Sequence, residues 1–453
     1  MDIIHVPLHK ATWLQEQLTW PLHPAVHHVV QRMAMPDPLL PLAEQVAATP
    51  YPHHAELVKV VLSLQPVAQV KVTANQKHLP VVPLAELAES KIFEVPGHVS
   101  RPGTFLTNQI TMKYFAFQWH ITDSCDQRCQ HCYIFSENNH TILKEMSWTE
   151  IESVFDKCLD MCEKANRLPY FYITGGDPIL HSRFWDLMAL FKSHKIAFTI
   201  LGNPFHLNDE VCHKLKDHGC ERYQLSIDGL RDTHDAMRKK GSFDTTIEKL
   251  KCLHSAGIRS AIMTTVSGVN ADEVPGIIDL VVENKVNVFA FARYAPTSFE
   301  KSTHLTPDKY RELLEVCWQK FEQYKESGTS FNLKDHLWTL FLHEKGLFKI
   351  PENLNDDVVY DGCNCANCHL TILPKGDVYA CRRFESNVGN AFNENLYDIF
   401  TGKKMDAYRD FDKFEKCNSC ELKRFCRGCP AVTYGYTGSF YGTDPQCWKK
   451  IAG

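Results

Sequence analysis

Hydrophobic and polar positions in the middle of the chain follow two alternating periods. Strand-like apolar runs lie at 115–121, 170–173, 197–201, 223–227, 261–266 and 286–291. Helical spacing appears near 147–164, 182–193, 208–218, 243–256, 271–284 and 307–325. Six successive strand–helix units predict an α/β fold with a parallel sheet, either open and doubly wound or curled into a partial barrel. Both arrangements place reactive residues in the loops after the strands, and the periodicity does not choose between them.

The first of these helices has a recognisable start. Ser147 and Glu150 are spaced as a capping box, in which each side chain bonds the backbone N–H of the other residue. Cys158 and Cys162 then fall on the predicted buried stripe, where cysteine behaves as a small hydrophobic residue. The same structural role is expected for Cys212, Cys220, Cys252 and Cys317, which are also scattered singly.

Length, charge and cysteine content narrow the class of protein. The chain has 453 residues, enough for two or three domains, and its net charge of −5 gives no overall electrostatic basis for binding nucleic acid or an anionic membrane. No apolar run approaches the roughly 18–20 residues of a membrane span, and the N-terminus shows no secretory signal. We therefore expect a cytoplasmic protein whose 18 cysteines serve in part as metal ligands rather than as disulfides.

Three cysteines lie together directly after the first predicted strand. Cys125, Cys129 and Cys132 have the spacing C-x3-C-x2-C. An ordinary [4Fe–4S] cluster takes four thiolates, one for each iron, so a three-cysteine loop leaves one iron open to a chelating ligand. A zinc knuckle, or a cluster whose fourth ligand comes from elsewhere, is the alternative interpretation of this spacing.

This loop, with His131 before its last cysteine, resembles the signature of radical S-adenosylmethionine (SAM) enzymes. Two further motifs extend the resemblance. Gly175-Gly176-Asp177-Pro178 ends the second strand and is similar to the GGE-P motif that binds the SAM amino group, with Asp in place of the usual Glu. Ser226 and Asp228 close the fourth strand, and Arg238 follows. The resemblance implies a partial (β/α)6 barrel. It also implies cofactor contacts from His131, Tyr133, Gly175, Gly176, Asp177, Ser226, Asp228 and Arg238.

A second field of nine cysteines lies near the C-terminus, at Cys363, Cys365, Cys368, Cys381, Cys417, Cys420, Cys426, Cys429 and Cys447. Pairs spaced C-x2-C also occur in zinc ribbons, but nine thiols are one more than two four-thiolate sites need. The layout resembles the SPASM extension, which carries two auxiliary [4Fe–4S] clusters. By resemblance, Cys363, Cys381 and Cys429, with Cys365 or Cys368, hold the nearer cluster. Cys417, Cys420, Cys426 and Cys447 hold the outer one.

The predicted organisation has four parts. Residues 1–110 form a small N-terminal domain, 111–330 the barrel, 331–360 a linker and 361–453 the cysteine-rich domain. Helices near 24–34, 39–48 and 54–64 and a strand at 68–73 are predicted in the first part, which has the size of a leader-peptide recognition element. Its histidines, such as His23, His27 and His28 or His53 and His54, are interpreted as surface or capping residues.

The function that the resemblance implies is peptide maturation by a SAM-derived radical. The first choice is a thioether link in a ribosomally made precursor peptide, with a one-electron reductant such as flavodoxin or ferredoxin as partner. Formylglycine formation, carbon–carbon crosslinking and epimerisation remain alternatives within the same chemistry. An iron–sulfur electron carrier or scaffold, and a zinc-dependent nucleic-acid-binding protein, are the alternatives outside it. The segment Arg293-Tyr294-Ala295-Pro296, after the sixth strand, is a candidate for substrate or SAM contacts.

Overall fold

The computed structural model describes residues 114–135, 143–296, 303–352, 354 and 359–451. The strands in these ranges are β1 Tyr114–Thr122, β2 Leu168–Gly175, β3 Phe198–Leu201, β4 Cys220–Ser226, β5 Arg259–Val266, β6 Val288–Arg293, β7 Ser330–Asn332, β8 His369–Ile372, β9 Asp377–Tyr379 and β10 Asn387–Asn390. The predictions for residues 1–110, including the helices, the strand and the histidines, lie outside the described residues and stay predictions.

Helices follow most of the strands. They are α1 Trp148–Lys164, α2 Phe184–Ser193, α3 Asp209–Asp217, α4 Arg231–Met237, α5 Ser242–Ser255, α6 Val274–Glu283, α7 Pro307–Gln323, α8 Leu337–Glu344, α9 Leu396–Thr401, α10 Lys403–Asp406 and α11 Pro430–Thr437. Short 3-10 turns lie at Pro178–Leu180, Ala271–Glu273, Ala407–Arg409, Phe411–Lys413 and Cys417–Ser419. No helix among the described residues is both long enough and apolar enough to cross a lipid bilayer.

All ten strands belong to one sheet, in the order β10-β9-β8-β1-β2-β3-β4-β5-β6-β7. Strands β1 to β7 pair in parallel with their neighbours in chain order, as the repeated strand–helix pattern predicts. The predicted α/β class and partial barrel are confirmed. On the other side of β1, β8 adds in parallel, and β9 and β10 continue the sheet in antiparallel pairing.

The core lies between this sheet and its helices. Phe115, Phe117 and Trp119 alternate along β1 and are fully buried, which is the period expected of a strand packed against helices. Ser147 and Glu150 form the predicted capping box at the start of α1. Such a cap stabilises a helix by about 1 kcal/mol. Cys158 and Cys162 are buried on the inner face of α1, as predicted.

The segment 331–360 differs from the predicted linker. The last two residues of β7 and all of α8 lie within it, and the side chains of Leu337, Trp338 and Phe341 are buried. The strand is three residues long, so it leaves almost no periodic signal in the sequence. Burial of these large apolar side chains makes α8 part of the core.

Candidate functional site

The cluster loop, Cys125–Cys132, leaves the carboxyl end of β1, and neighbouring polar groups surround its first thiol. The backbone N–H of Gln127 donates to Cys125 Sγ at 3.4 Å, and the side-chain amide of Asn203 donates to the same sulfur at 3.2 Å. Burial raises the pKa of the Cys129 thiol to about 11, so a nearby cation is needed to favour the thiolate at neutral pH. A metal ion supplies such a charge.

The Gly175–Asp177 turn is held directly against this loop. The N–H of Gly176 donates to Thr122 O at 2.8 Å, and the N–H of Asp177 donates to Ser124 O at 2.7 Å. A Cβ atom on Gly175 would lie 2.2 Å from Thr122 O, and one on Gly176 would lie 2.3 Å from Ser124 O. Only glycine lets the two backbone segments approach this closely.

Asp177 is fully buried and incompletely paired. Its Oδ1 accepts a hydrogen bond from the N–H of Asn203 at 3.4 Å, whereas its Oδ2 has no partner among the residues that the structure describes. Burial raises the pKa of this carboxyl to about 7, and the nearby charge of Asp126 acts in the same direction. A buried polar atom without a partner costs free energy unless a ligand satisfies it. Asp177 therefore fits the predicted role of accepting hydrogen bonds from a bound amino group.

Asp228 and Arg238 form a buried ion pair beside the cluster loop. Arg238 Nε donates to Asp228 Oδ2 at 2.5 Å, and the same guanidinium lies 3.8 Å from Cys129 Sγ and 3.5 Å from His131 Nε2. Burial alone would raise the pKa of Asp228, but the charge of Arg238 and the His131 ring lower it far below its usual value. Its Oδ1 also accepts from the N–H of Thr265 at 2.8 Å, so Asp228 fixes the position of Arg238, and its predicted contact with the cofactor stays a prediction.

The remaining predicted cofactor residues lie around this pair. Ser226 ends β4, two residues before Asp228, and is half-buried. Tyr133 follows the loop, and its ring lies 4.5 Å below the Arg382 guanidinium. The Tyr294 ring makes an edge contact with His131 at 6.5 Å between centroids, so Tyr294 lies beside the cluster loop.

In the C-terminal cysteine block, the structure separates Cys365 from Cys368. A hydrogen bond to Cys363, burial and the nearby thiols of Cys381 and Cys429 raise the pKa of Cys365. Burial also raises the pKa of Cys368 to about 12, but its neighbouring charges are Arg167 and Cys363 alone. Cys365 rather than Cys368 therefore lies near the thiols of Cys381 and Cys429, and its place as a ligand of the nearer cluster stays a prediction.

The four outer cysteines line one small cavity. Its walls also include two leucines, two lysines, a glycine and an aspartate; the full set is Leu340, Lys416, Cys417, Cys420, Leu422, Cys426, Gly428, Asp444, Cys447 and Lys449. Thiols from separate chain segments around a mostly apolar hollow fit an iron–sulfur cluster, whose sulfurs are excluded from bulk water.

The spacing of the thiols argues against single zinc ions. In tetrahedral zinc sites the metal–sulfur distance of about 2.3 Å puts the sulfurs roughly 3.8 Å apart. Among the described residues, one group of three side chains of the types His, Cys, Asp or Glu has ligand atoms within 4.8 Å of one another. It consists of Asp126, Asp177 and His206. No three cysteine sulfurs among the described residues meet this limit.

A larger cavity opens where the end of β1 meets the β8–β10 region. Its volume is about 670 Å³, within the range of ligand pockets. Asp123 and Tyr133 line it from the barrel, and Arg382, Arg383 and Tyr434 line it from the cysteine-rich part. The cavity adjoins the cluster loop, since Tyr133 is next to Cys132, and it is the candidate substrate site.

The sequence motifs did not identify two residues that bond cysteine sulfurs. Asn203 follows β3 and bonds both Cys125 and Asp126, the latter at 3.0 Å. Arg383 donates to Cys429 Sγ at 3.4 Å and to the backbone carbonyl of Arg293. Asn203 lies after a strand end, where the sequence argument places reactive residues, so the same rule applied to the third strand would have found it. Arg383 follows Cys381 by two residues, and neither a motif nor the strand-end rule points to it.

Two family models match the chain. The Radical SAM superfamily model covers residues 119–281, and the SPASM model, an iron–sulfur cluster-binding domain, covers residues 363–421. These ranges lie inside the predicted domains 111–330 and 361–453. The exact domain bounds stay predictions.

Relatives and solved structures agree with these matches. An AdoMet-dependent heme synthase of Nitratidesulfovibrio vulgaris is 26% identical over 365 residues, covering 77% of this chain and 95% of the relative. Mycofactocin maturase MftC of Mycolicibacterium smegmatis is 26% identical over 345 residues, covering 73% and 81%. Streptococcus suis SuiB bound to S-adenosylmethionine shares the fold with a TM-score of 0.58 and 21% identity, over 74% of this chain and 77% of that chain.

The family fixes the class of cofactor. The barrel binds a [4Fe–4S] cluster and SAM, and the C-terminal domain binds auxiliary iron–sulfur clusters. Three thiols on one loop, an unsatisfied carboxylate oxygen and two glycines in close backbone contact fit this set of groups. The chain therefore carries a radical SAM domain and, C-terminal to it, a SPASM domain, and it is an enzyme.

Proposed function

We propose that this enzyme matures a ribosomally made peptide and that it closes a thioether link between a cysteine sulfur and a substrate carbon. The supporting observation is the cavity of about 670 Å³ between the SPASM domain and the residues that flank the cluster loop, Asp123 and Tyr133, which has room for peptide side chains. The similarity to a mycofactocin maturase over 73% of the chain supports a maturation reaction.

The residues of this chain have separate tasks in the proposal. Cys125, Cys129 and Cys132 hold the catalytic cluster, which with SAM supplies a 5′-deoxyadenosyl radical that removes hydrogen from a C–H bond. Asp177 and the adjacent glycine backbone hold the SAM amino group, and Arg238 holds the SAM carboxylate through its guanidinium fork. The walls of the cavity exclude water and orient the substrate.

Co-expression tests the reaction. The enzyme is produced anaerobically together with a candidate cysteine-containing precursor peptide, and the mass of the peptide is measured before and after. Each thioether link removes two hydrogens and one free thiol. Formylglycine formation from cysteine also removes the sulfur, carbon–carbon crosslinking leaves every thiol intact, and epimerisation adds one deuteron in heavy water. An unchanged mass and unchanged deuterium content would count against peptide maturation.

A porphyrin is the second candidate substrate, because a relative named heme synthase matches 77% of the chain. The same purified enzyme, incubated with SAM, dithionite and an iron porphyrin, separates the two possibilities by the mass of the porphyrin. A changed porphyrin together with an unchanged peptide would favour the second candidate.

The assignment of the catalytic loop has its own test. Reconstituted protein given SAM and dithionite should release 5′-deoxyadenosine, and Cys129→Ala should not. Cys252→Ala is the matched control, because Cys252 is a half-buried thiol on α5. Persistent release by the Cys129→Ala variant would contradict the assignment.

The choice between two auxiliary ligands is tested by iron content. The wild-type protein is expected to hold about twelve irons if all three clusters are [4Fe–4S]. Cys365→Ser should lose up to about four of them, whereas Cys368→Ser should keep them all. The reverse result would place Cys368 in the cluster.

A further inference from the structure

The charged residues around the large cavity differ in whether they have hydrogen-bond or ion-pair partners among the described residues. Its acidic side chains have partners within the protein. Both carboxylate oxygens of Glu385 accept from the Tyr379 hydroxyl at 2.8 Å, and Asp377 accepts from the Asn390 side chain at 3.2 Å. Asp123 accepts from the N–H of Lys144 at 3.2 Å.

The charges of Arg382 and Lys375, two cations of the cavity wall, act on the Asp123 carboxyl. Burial raises the pKa of this carboxyl, while its hydrogen bond from Lys144 and the charges of Arg382 and Lys375 act against that rise. It forms no ion pair with either cation among the described residues, since no carboxylate oxygen there lies within 4.0 Å of them.

Arg382 forms no ion pair with a carboxylate in the described part of the chain. Its guanidinium lies over the Tyr133 ring at 4.5 Å and near the Tyr379 ring at 5.9 Å. Its Nε is buried and has no hydrogen-bond partner in the described part of the chain. Arg383, its neighbour in sequence, differs because it already donates to Cys429 Sγ and to Arg293 O.

A buried guanidinium donor without an acceptor is costly, and an arginine fork matches a carboxylate in shape and charge. Lys375 lines the same wall and adds a second cation without a hydrogen-bonded partner among the described residues. Tyr133 under Arg382 belongs to the segment that continues from the cluster loop, so an anion at Arg382 lies close to the reacting centre.

We infer that Arg382, stacked on Tyr133 in this cavity, binds a carboxylate of the peptide substrate and thereby places the peptide against the cluster loop. This inference rests on the proposed function and specifies its substrate class: a peptide that presents an Asp or Glu side chain, or its own C-terminal carboxylate, at the modified segment.

The test uses full-length reconstituted enzyme with SAM and four synthetic hexapeptides in equilibrium dialysis. The peptides share one sequence, with either Glu or Gln at the centre and either a free or an amidated C-terminus. Peptides that carry the recognised carboxylate should bind about tenfold more tightly than the doubly neutral peptide. The two singly charged peptides show whether the side chain or the C-terminus is recognised.

Variants assign the effect to one side chain. Arg382→Met should remove the preference for the acidic peptides, and Arg382→Lys should keep part of it. Arg311→Met is the control, because Arg311 is an exposed arginine on α7 that pairs with Glu344. Unchanged iron–sulfur absorption of each variant shows that it is folded and loaded.

Equal retention of all four peptides, or no retention of any at about 1 mM, would overturn the inference. So would a preference that survives Arg382→Met. The outcome is independent of the maturation test. If a peptide is modified equally well after its carboxylates are neutralised, carboxylate recognition by Arg382 is wrong and peptide maturation still stands. If the enzyme binds the carboxylate but modifies no peptide, carboxylate recognition stands and peptide maturation is wrong.

Discussion

The ends of β2 and β4 both present a buried aspartate to the cofactor side of the barrel, and the two are in opposite electrostatic states. Asp177, after β2, has an unpartnered oxygen and a pKa raised to about 7 by burial. Asp228, after β4, is bound by Arg238 and Thr265, and its pKa is lowered far below the ordinary value. Both carboxyl groups are fully buried, and they differ in their hydrogen-bond and ion-pair partners.

The comparison shows how one fold gives two identical side chains different tasks. An unpaired carboxyl in a buried site is free to accept donors from a ligand, and it is satisfied only when the ligand is present. A paired carboxylate is satisfied in the protein itself and fixes the direction of its partner's remaining donors. The end of β2 is therefore the receiving side of the site, and the end of β4 is the orienting side.

The largest effect is expected at the β2 end, from Gly176→Ala. The new methyl group would lie 2.3 Å from Ser124 O and 2.7 Å from Cys125 Cβ, so the turn and the cluster loop would have to separate. We expect loss of the catalytic cluster, measured as a loss of about four irons per chain. Gly276→Ala is the control, since a Cβ there meets only Leu230 at 3.5 Å. A Gly176→Ala protein with full iron content would contradict the close contact.

Removing the charge at the β4 end should come next in size. Asp228→Asn leaves the Arg238 guanidinium buried without its counter-charge, which costs about 3 kcal/mol in the free energy of unfolding. The measurement is the urea midpoint of the anaerobic holoenzyme. Asp279→Asn is the matched variant, because Asp279 pairs with Lys320 nearer the surface, where a pair contributes about 0–1 kcal/mol. Equal losses in the two variants would remove the distinction between the two ends.

Asp177→Asn should leave stability nearly unchanged and weaken SAM binding instead. The amide has one acceptor oxygen and no charge, so a hydrogen bond to a charged acceptor is lost and the dissociation constant of SAM should rise about tenfold. Calorimetric titration of the reconstituted enzyme gives this constant. A variant that binds SAM as tightly as the wild type would show that Asp177 is not the receiving group.

The smallest effect is a difference in pH dependence. With a pKa of about 7, the Asp177 carboxyl is mostly protonated at pH 6 and mostly ionised at pH 8. The ionised form is the better acceptor, so SAM affinity of the wild type should rise as pH increases through 7. The amino group of SAM also titrates, so the informative quantity is the slope of the wild type minus that of Asp177→Asn. Identical slopes would place the pKa of Asp177 outside this window.

The parts of the site that sequence reasoning found are those with local spacing. Cys125, Cys129 and Cys132 lie within eight residues, and the Gly-Gly-Asp-Pro turn is contiguous, so neither needs tertiary information. The capping box at Ser147 is equally local. The sequence left the choice between Cys365 and Cys368 open, and only the proximity of Cys365 to Cys381 and Cys429, a contact between distant segments, favours Cys365.

The parts that were missed depend on contacts between distant segments. Arg382 is significant because Tyr133 lies beneath it, although about 250 positions separate the two in the sequence. The sequence predicts a linker where the last two residues of β7 and helix α8 lie, because a three-residue strand is too short to show a period. Asn203 was within reach of the strand-end rule, but no motif drew attention to it.

The pairing of β8 with β1 has a consequence for how the protein can be divided. Ala116 donates its N–H to the carbonyl of Cys368, so the SPASM domain supplies backbone partners to the strand that leads into the catalytic cysteine loop. Cutting the chain before residue 361 would turn β1 into an unprotected edge, open to aggregation with other chains. The two halves are thus not interchangeable modules, and grafting another C-terminal domain onto this barrel requires a replacement strand in the same register.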